Sequence, residues 1–501
     1  MKKVFSLLLL PITITFPIVS ISCTQTYDAS VVFSLFKEIN NFPRVSNNEE
    51  RVAEFANWLS QKLTNSGANV TSNVGDGNLY AIKGTPKVCF QAHMDMVGSK
   101  VNGSNFDFEN DPIECVTDGD WIHSINYETT CGADDGIGCA MILAMFQQFD
   151  NIEAIFTTHE EDTMEGALTI PTNLIQANKL INLDSEDDKY VTIGCNGGTS
   201  IDGVFSIATT SELSGFTPVT ISITGGLGGH SGVDIHKGRC NTLKSIFYLL
   251  FRVKNEITSN TMLIHDVQRI GTIADNAIPS DASCQLYIPT ANKNEIINCM
   301  QEVFANDIKP LYPLENALQI SITNDSFSST NALDLTSSNL LINNINFAPD
   351  GMYKYNEQYK MSDQSTNFWE VSINENEVTL GWLNRGLSNA LLNDLKSKEI
   401  AFLNIFSSTC NIDSSYDPWE PSTNNQLANI FTSYANDSSN KMELCVTAGG
   451  LETAILCTKY PLCDMISIGP NIENAHTANE RLSIKSTEKI FNLVSRFFNQ
   501  L

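Results

Sequence analysis

The sequence predicts an α/β fold in which a mostly parallel, helix-covered sheet is interrupted by an inserted α+β unit. Three observations carry this reading. Short apolar runs rich in β-formers alternate with helical periods, each of those runs ends in a polar cluster, and the texture changes between residues 199 and 410. Strands that alternate with helices build parallel sheets, since a parallel pair needs a crossover connection. A chain of 501 residues is too long for one ordinary domain. We divide it into an N-terminal signal over 1–22, a sheet domain formed by 23–198 together with 411–501, and an insert over 199–410.

At the N-terminus, Lys2 and Lys3 precede an apolar run over 4–22 that is broken by Pro11 and Pro17. This is the pattern of an export signal, and the prolines argue against a spanning helix. The expected location is therefore extracytoplasmic, with the cytoplasm as the alternative if the segment does not act as a signal. Ser22-Cys23 also suits lipid attachment, although Ser20 stands where a lipoprotein signal usually has Leu. Thirteen cysteines with no CxxC pair do not make a disulfide scaffold in a chain this long. The net charge of −27 repels phosphate backbones and anionic lipid, which excludes nucleic acid as a partner.

Two helices are expected over 32–63, from Phe33, Leu35, Phe36 and Ile39 and then Val52, Phe55, Trp58 and Leu59 at helical spacing. Strands are expected at Val88-Cys89-Phe90, at 152–156, at Leu180-Ile181 with Leu183, and at 465–468. A helix over 136–149 separates the first two, with Ile137, Met141, Ala144 and Phe146 on one side. Within the insert, 219–223 alternates like a strand and leads to Gly225-Gly226-Leu227-Gly228-Gly229-His230. A helix bearing Leu243, Ile246, Phe247, Leu250 and Phe251 follows, then strands at 284–288, 318–322 and 378–383. The first sheet resumes near Tyr416-Asp417-Pro418-Trp419.

The four runs of the first sheet lead into His93-Met94-Asp95, His159-Glu160-Glu161, Asp184-Ser185-Glu186 and, through Gly469-Pro470, His476. Parallel sheets place sites just beyond the C-terminal ends of their strands. Neutral imidazole and carboxylate are the usual non-thiolate ligands of catalytic zinc. Of seven histidines, His93 and His159 sit at strand ends beside acids, and Asp95 is placed to orient the His93 imidazole. Glu160 and Glu161 follow a buried strand, where unpaired carboxylates are costly. Consecutive side chains point in different directions, so one can bind a metal while its neighbour reaches a water. Asp134, in Cys131-Gly132-Ala133-Asp134-Asp135-Gly136-Ile137-Gly138, reads equally as a helix cap. Asp184 reads equally as a turn residue, and His476 carries little local signal.

Other mechanisms fit less well. Thr163 stands where a HExxH zinc motif would place its second histidine. Gly229-His230-Ser231-Gly232-Val233 lacks the last glycine of a nucleophile elbow, and Ser231 also breaks the dinucleotide pattern.

Taken in order, these residues resemble the family of two-zinc peptidases that includes aminoacylase and glutamate carboxypeptidase. Within it the sequence is most similar to the Xaa-His dipeptidase (cytosol nonspecific dipeptidase) branch. The resemblance is carried by Gln91-Ala92-His93-Met94-Asp95-Met96-Val97, the Gly132 to Gly138 stretch and Leu183-Asp184-Ser185-Glu186. His230-Ser231-Gly232-Val233-Asp234-Ile235-His236 and Ser467-Ile468-Gly469-Pro470 carry it as well. It implies a metal-dependent dipeptidase with two Zn2+ ions, for which Co2+ or Mn2+ could substitute. Asp134 would bridge them, His93 and Asp184 would complete one site, and Glu161 and His476 the other. Glu160 would be the general acid/base, with Asp95 beside it and a cis peptide bond between Asp134 and Asp135. His230, on a lid formed by the insert, would polarise the scissile carbonyl, while Arg385 and Asn276 would bind the substrate. A homodimer is also implied. Two departures concern the substrate side: Ala448-Gly449-Gly450-Leu451-Glu452 lacks a histidine usual in the branch, and Asp275 replaces a basic residue. The readings kept beside this one are an N-acyl amino acid amidohydrolase or carboxypeptidase of the same family, and an inactive peptidase-like binding protein.

Overall fold

The apolar runs at Cys89–His93, Ile152–Thr157, Lys179–Asn182 and Asp464–Ser467 are neighbours in one eight-stranded sheet. They pair parallel to one another. Residues of alternating parity face opposite layers, as the two-residue period of a strand requires. Phe90, Ala92, Ala154, Phe156, Ile181 and Ile466 pack into one apolar cluster, while Cys89, Ile155, Leu180 and Met465 pack into another on the reverse face. Both faces are therefore covered, which is why these strands read as continuous apolar runs.

The chain is described here from a computed structural model that covers residues 26–257, 261–271, 273–327, 331–438 and 440–501. The export signal expected over 1–22 and the lipid attachment considered at Cys23 lie outside these residues. Among the described residues, no helix is long and apolar enough to cross a membrane.

The central helix, Ala133–Gln148, starts three residues before the expected position, and every residue from Ala133 to Phe146 is buried. Against it packs Ser30–Ile39, with Val32, Leu35, Phe36 and Ile39 inward. The C-terminal helix Ile484–Gln500 lays Phe498 near Phe90 on the same face, ring centroids 6.2 Å apart. Two antiparallel strands, Asn69–Val74 and Asn78–Lys83, extend one side of the sheet, and Tyr190–Cys195 with Glu443–Thr447 the other.

The chain leaves this sheet through Gly197–Ser206 and returns through Thr409–Tyr416, which pair antiparallel with each other. They belong to a five-stranded sheet with Gly351–Asn356, Met361–Asn374 and Glu377–Gly386. A second antiparallel sheet comprises Leu263–Arg269, Ala282–Pro289, Phe216–Thr224 and Gln319–Asn324. Val219, Ile221 and Ile223 share a core with Leu243, Ile246, Phe247 and Leu250 of the helix Thr242–Glu256. That core draws on residues 201–406 and is separate from the cluster around the first sheet.

Candidate metal centre

Each strand of the parallel set ends at the same edge of the sheet, and the next residues turn their side chains toward one point. His93 is the last residue of its strand and is fully buried. Its Nδ1 lies 3.1 Å from the backbone carbonyl of Asp95, so Nδ1–H donates there and the Nε2 lone pair points the other way. Nε2 meets Asp134 Oδ1 at 3.1 Å and Asp184 Oδ1 at 3.3 Å. The other oxygen of Asp134, Oδ2, lies 3.0 Å from Nε2 of His476, which is also 3.0 Å from Glu161 Oε2. The structure thus brings His93, Asp134, Glu161, Asp184 and His476 together in two groups that share Asp134.

Glu160 has a carboxylate oxygen close enough to His93 and Glu161 to join them in a cation-sized group. Burial first, and then the charge of Asp184, pushes its carboxyl well up. Asp95 underlies this arrangement. Its carboxylate accepts from the backbone N–H of Glu160 at 3.2 Å, from that of Glu161 at 3.3 Å and from Ser46 Oγ at 2.7 Å. The carboxylate is 3.6 Å from His93 Nδ1, beyond the nearer backbone carbonyl, so it positions the two glutamates more directly than the imidazole.

Two further acids converge here. Asp135, 1% exposed, is close enough to His93 and Asp184 to share an ion with them, and its peptide bond with Asp134 is cis. Glu186 is pushed up to about 8, by burial and then by the charge of Asp134. Burial likewise drives Asp184 up to about 6 and Glu161 up to about 7. Among the described residues no lysine or arginine forms an ion pair with any of these seven acids. Buried carboxylates without cations are expensive. His476 registers the same imbalance: burial would lower its pKa, but Asp134 and Glu161 push it up to about 12. Glu161 Oε1 and Asp135 Oδ2 are buried with no hydrogen-bond partner. Imidazole nitrogens and carboxylate oxygens facing one another in a region of net negative potential form a donor set suited to divalent cations.

The insert adds a neutral donor and a cation. His230 Nδ1 accepts from the backbone N–H of Gly232 and Val233, each at 3.1 Å, which leaves Nε2 as the protonated nitrogen. Burial, then the nearby charges of Arg385 and His476, lower its pKa to about 3, so the ring is neutral. Arg385 is 6% exposed; its Nη1 donates to Tyr416 Oη at 3.0 Å, and its Nε has no partner. Asn276 lies in the adjoining loop, where its backbone carbonyl accepts from Ser231 N at 2.7 Å. His159, also at a strand end, turns away and pairs with Asp76 and Asp162.

The sequence does not single out Asp135, Glu186 or Tyr416 as site residues. Asp135 and Glu186 stand within two positions of Asp134 and Asp184, which is the available signal. Nothing local marks Tyr416.

Comparisons with known proteins identify the family. The family described as Peptidase family M20/M25/M40 matches residues 89–500. The cytosol non-specific dipeptidase of Escherichia coli (strain K12) is 27% identical over 483 residues, covering 94% of this chain and 97% of that protein. The crystal structure of aminoacylhistidine dipeptidase from Vibrio alginolyticus aligns with a TM-score of 0.74 and 26% identity, over 95% of this chain and 97% of that one. A tripeptidase from Staphylococcus aureus shares the fold, with a TM-score of 0.53 and 15% identity over 95% of this chain and all (100%) of that chain.

Proposed function

Since the chain belongs to peptidase family M20/M25/M40, we propose that it is a metal-dependent exopeptidase that hydrolyses dipeptides. The reading rests on one observation above the others: the two oxygens of Asp134 face two separate imidazole nitrogens, each accompanied by another carboxylate. His93 and Asp184 would hold one cation with Asp134, and Glu161 and His476 would hold a second, with zinc as the expected ion. Bound cations of this kind supply Lewis acidity and can lower the pKa of a water from about 15.7 to about 7.

The protein's own groups account for the rest of the reaction. Glu160 takes a proton from the attacking water and returns it to the leaving amine nitrogen. A raised carboxyl pKa suits both halves of that shuttle. His230 donates its Nε2–H to the carbonyl oxygen as negative charge develops there. Arg385, buried and without a carboxylate partner among the described residues, pairs with the C-terminal carboxylate of the substrate, which selects short peptides by length. Asn276 is proposed to hydrogen-bond the substrate from the neighbouring loop. The insert over 199–410 acts as the lid that carries His230 and Arg385.

Residues 1–22 are further proposed to direct export, and the chain to pair as a homodimer. N-terminal sequencing of secreted protein and sedimentation of purified protein test these two points. For the activity itself, the metal-free protein should be inactive toward dipeptides and regain activity with Zn2+. A panel of dipeptides including Xaa-His, set against N-acyl amino acids, decides the substrate class. Turnover confined to N-acyl amino acids would replace the dipeptidase reading, and full activity in the absence of metal would end it.

A further inference from the structure

The loop that carries Asp134 is built as an anion-binding concavity, and the anion in it is a side chain of this protein. Gly132 adopts φ 66°, and this left-handed turn makes successive backbone N–H groups converge on one side. Cys131 N and Gly132 N donate to Glu480 Oε2 at 2.7 and 3.0 Å, while Ala133 N and Asp134 N donate to Oε1 at 2.9 and 3.1 Å. Glu480 is 1% exposed. The carbonyls of the same loop are held from the other side: Arg44 Nη2 donates to Gly132 O at 2.8 Å and Asn40 Nδ2 to Cys131 O at 3.2 Å. A Cβ at Gly132 would sit 3.1 Å from Met96 Sδ and 3.2 Å from Arg44 Nη1, so those side-chain ends would have to shift by a few tenths of an ångström, and the left-handed φ strains any other residue there.

Glu480 also closes the turn that presents His476. Its backbone N–H donates to Thr477 O at 3.0 Å, and Thr477 N donates to Asn474 O. One residue therefore joins two segments 346 positions apart, one bearing Asp134 and the other His476. We propose that Glu480 is a positioning residue for the metal centre: its carboxylate sets the Asp134 loop and the His476 turn in register before any cation arrives. The proposal rests on the reading of Asp134 and His476 as metal ligands. The site is then pre-organised by a group that touches neither cation nor substrate. Such supporting contacts are known to tune metal affinity.

Glu480→Gln tests this with little change in shape. The amide oxygen can accept from two of the four N–H groups, but its NH2 faces the other two, donor against donor. In the full-length protein, Zn2+ affinity is measured by competition with a chromophoric chelator, beside thermal unfolding of the metal-free form. The expected result is cooperative unfolding with Zn2+ binding weakened about 10- to 100-fold. A second measurement uses the unmodified protein, in which the amides of 131–134 should be protected from hydrogen exchange even without metal. Unchanged Zn2+ affinity in a folded variant would overturn the proposal. So would amides that become protected only when Zn2+ is added, and that readout decides the matter if the variant does not fold. Parent protein that binds no Zn2+ would instead refute the metal-centre reading on which this one stands.

Discussion

The histidines of the site differ in which nitrogen is free, and the backbone decides it. His93 gives its Nδ1–H to the carbonyl of Asp95 and so offers Nε2 as a ligand atom. His230 accepts two N–H groups at Nδ1 and so keeps a proton on Nε2 for donation. His230→Ala should therefore lower kcat about 100- to 1000-fold, the usual cost of an oxyanion donor, with Zn2+ binding unchanged in the same chelator assay. Glu160→Ala should cost about 100- to 10,000-fold in kcat while the protein still binds metal; near-normal turnover would remove Glu160 from the role of base. A residue away from the centre gives a pH prediction. Glu399 is fully buried, accepting from Thr366 and Asn384, and burial pushes it from 4.5 up to about 7. The folded state thus binds this proton more tightly than the unfolded state. The resulting stability is fully present below 4.5 and is lost as pH rises through about 7. Melting temperatures across that window should show Glu399→Gln gaining on the parent as pH rises, and parallel curves would refute it.

At the scale of elements, strand ends place ligands only because the loops after them pass very close to one another. A Cβ on Gly469, in the loop that leads to His476, would sit 1.7 Å from the backbone oxygen of Ser185, between Asp184 and Glu186. Gly469→Ala should destabilise by about 1–3 kcal/mol, as overpacking does, and weaken Zn2+ binding as well. A calorimetric melt and the chelator titration read the two effects, and an unshifted melt would contradict the close approach. The strands that sequence reasoning read are the apolar ones. Met361–Asn374, the longest strand among those described, escaped because Ser362, Gln364, Ser365, Thr366 and Asn367 are polar yet buried. Three of them find partners elsewhere: Gln364 donates to Asp394 and to the Leu391 carbonyl, Thr366 to Glu399 and Asn367 to the Asp275 carbonyl, while the Ser362 and Ser365 hydroxyls have none among the described residues. Gly197–Ser206, a strand of the same sheet, is hidden for a similar reason, since glycines and Asp202 break its apolar alternation.

Across the whole molecule, the proposed ligands come from residue 93 to residue 476, so a bound cation ties together segments that no local structure joins. Metal that binds only the folded state must raise its stability, by about 2.7 kcal/mol at a free concentration 100 times the Kd. Thermal melts with and without excess Zn2+ should show this rise, and coincident melts would mean that the centre does not hold the ion. The insert matters at the same scale. Its return strand ends at Tyr416, whose hydroxyl accepts from Arg385, and Gly232 lies against the carbonyl of Ala448. The proposed substrate groups thus depend on how the insert meets the sheet.

By itself the sequence determined the periodicities, and with them the parallel strands, the buried helix and the acids and imidazoles beyond the strand ends. Those signals are local, written in hydropathy and spacing over a few residues. Only the tertiary structure decided which carboxylate oxygen faces which imidazole, that Asp135 and Glu186 join the centre while His159 leaves it, and that Glu480 grips the loop beneath Asp134. Each of these is a meeting of distant segments within hydrogen-bond range, and a buried glutamate held by four N–H groups is spelled the same way as one dissolved in water.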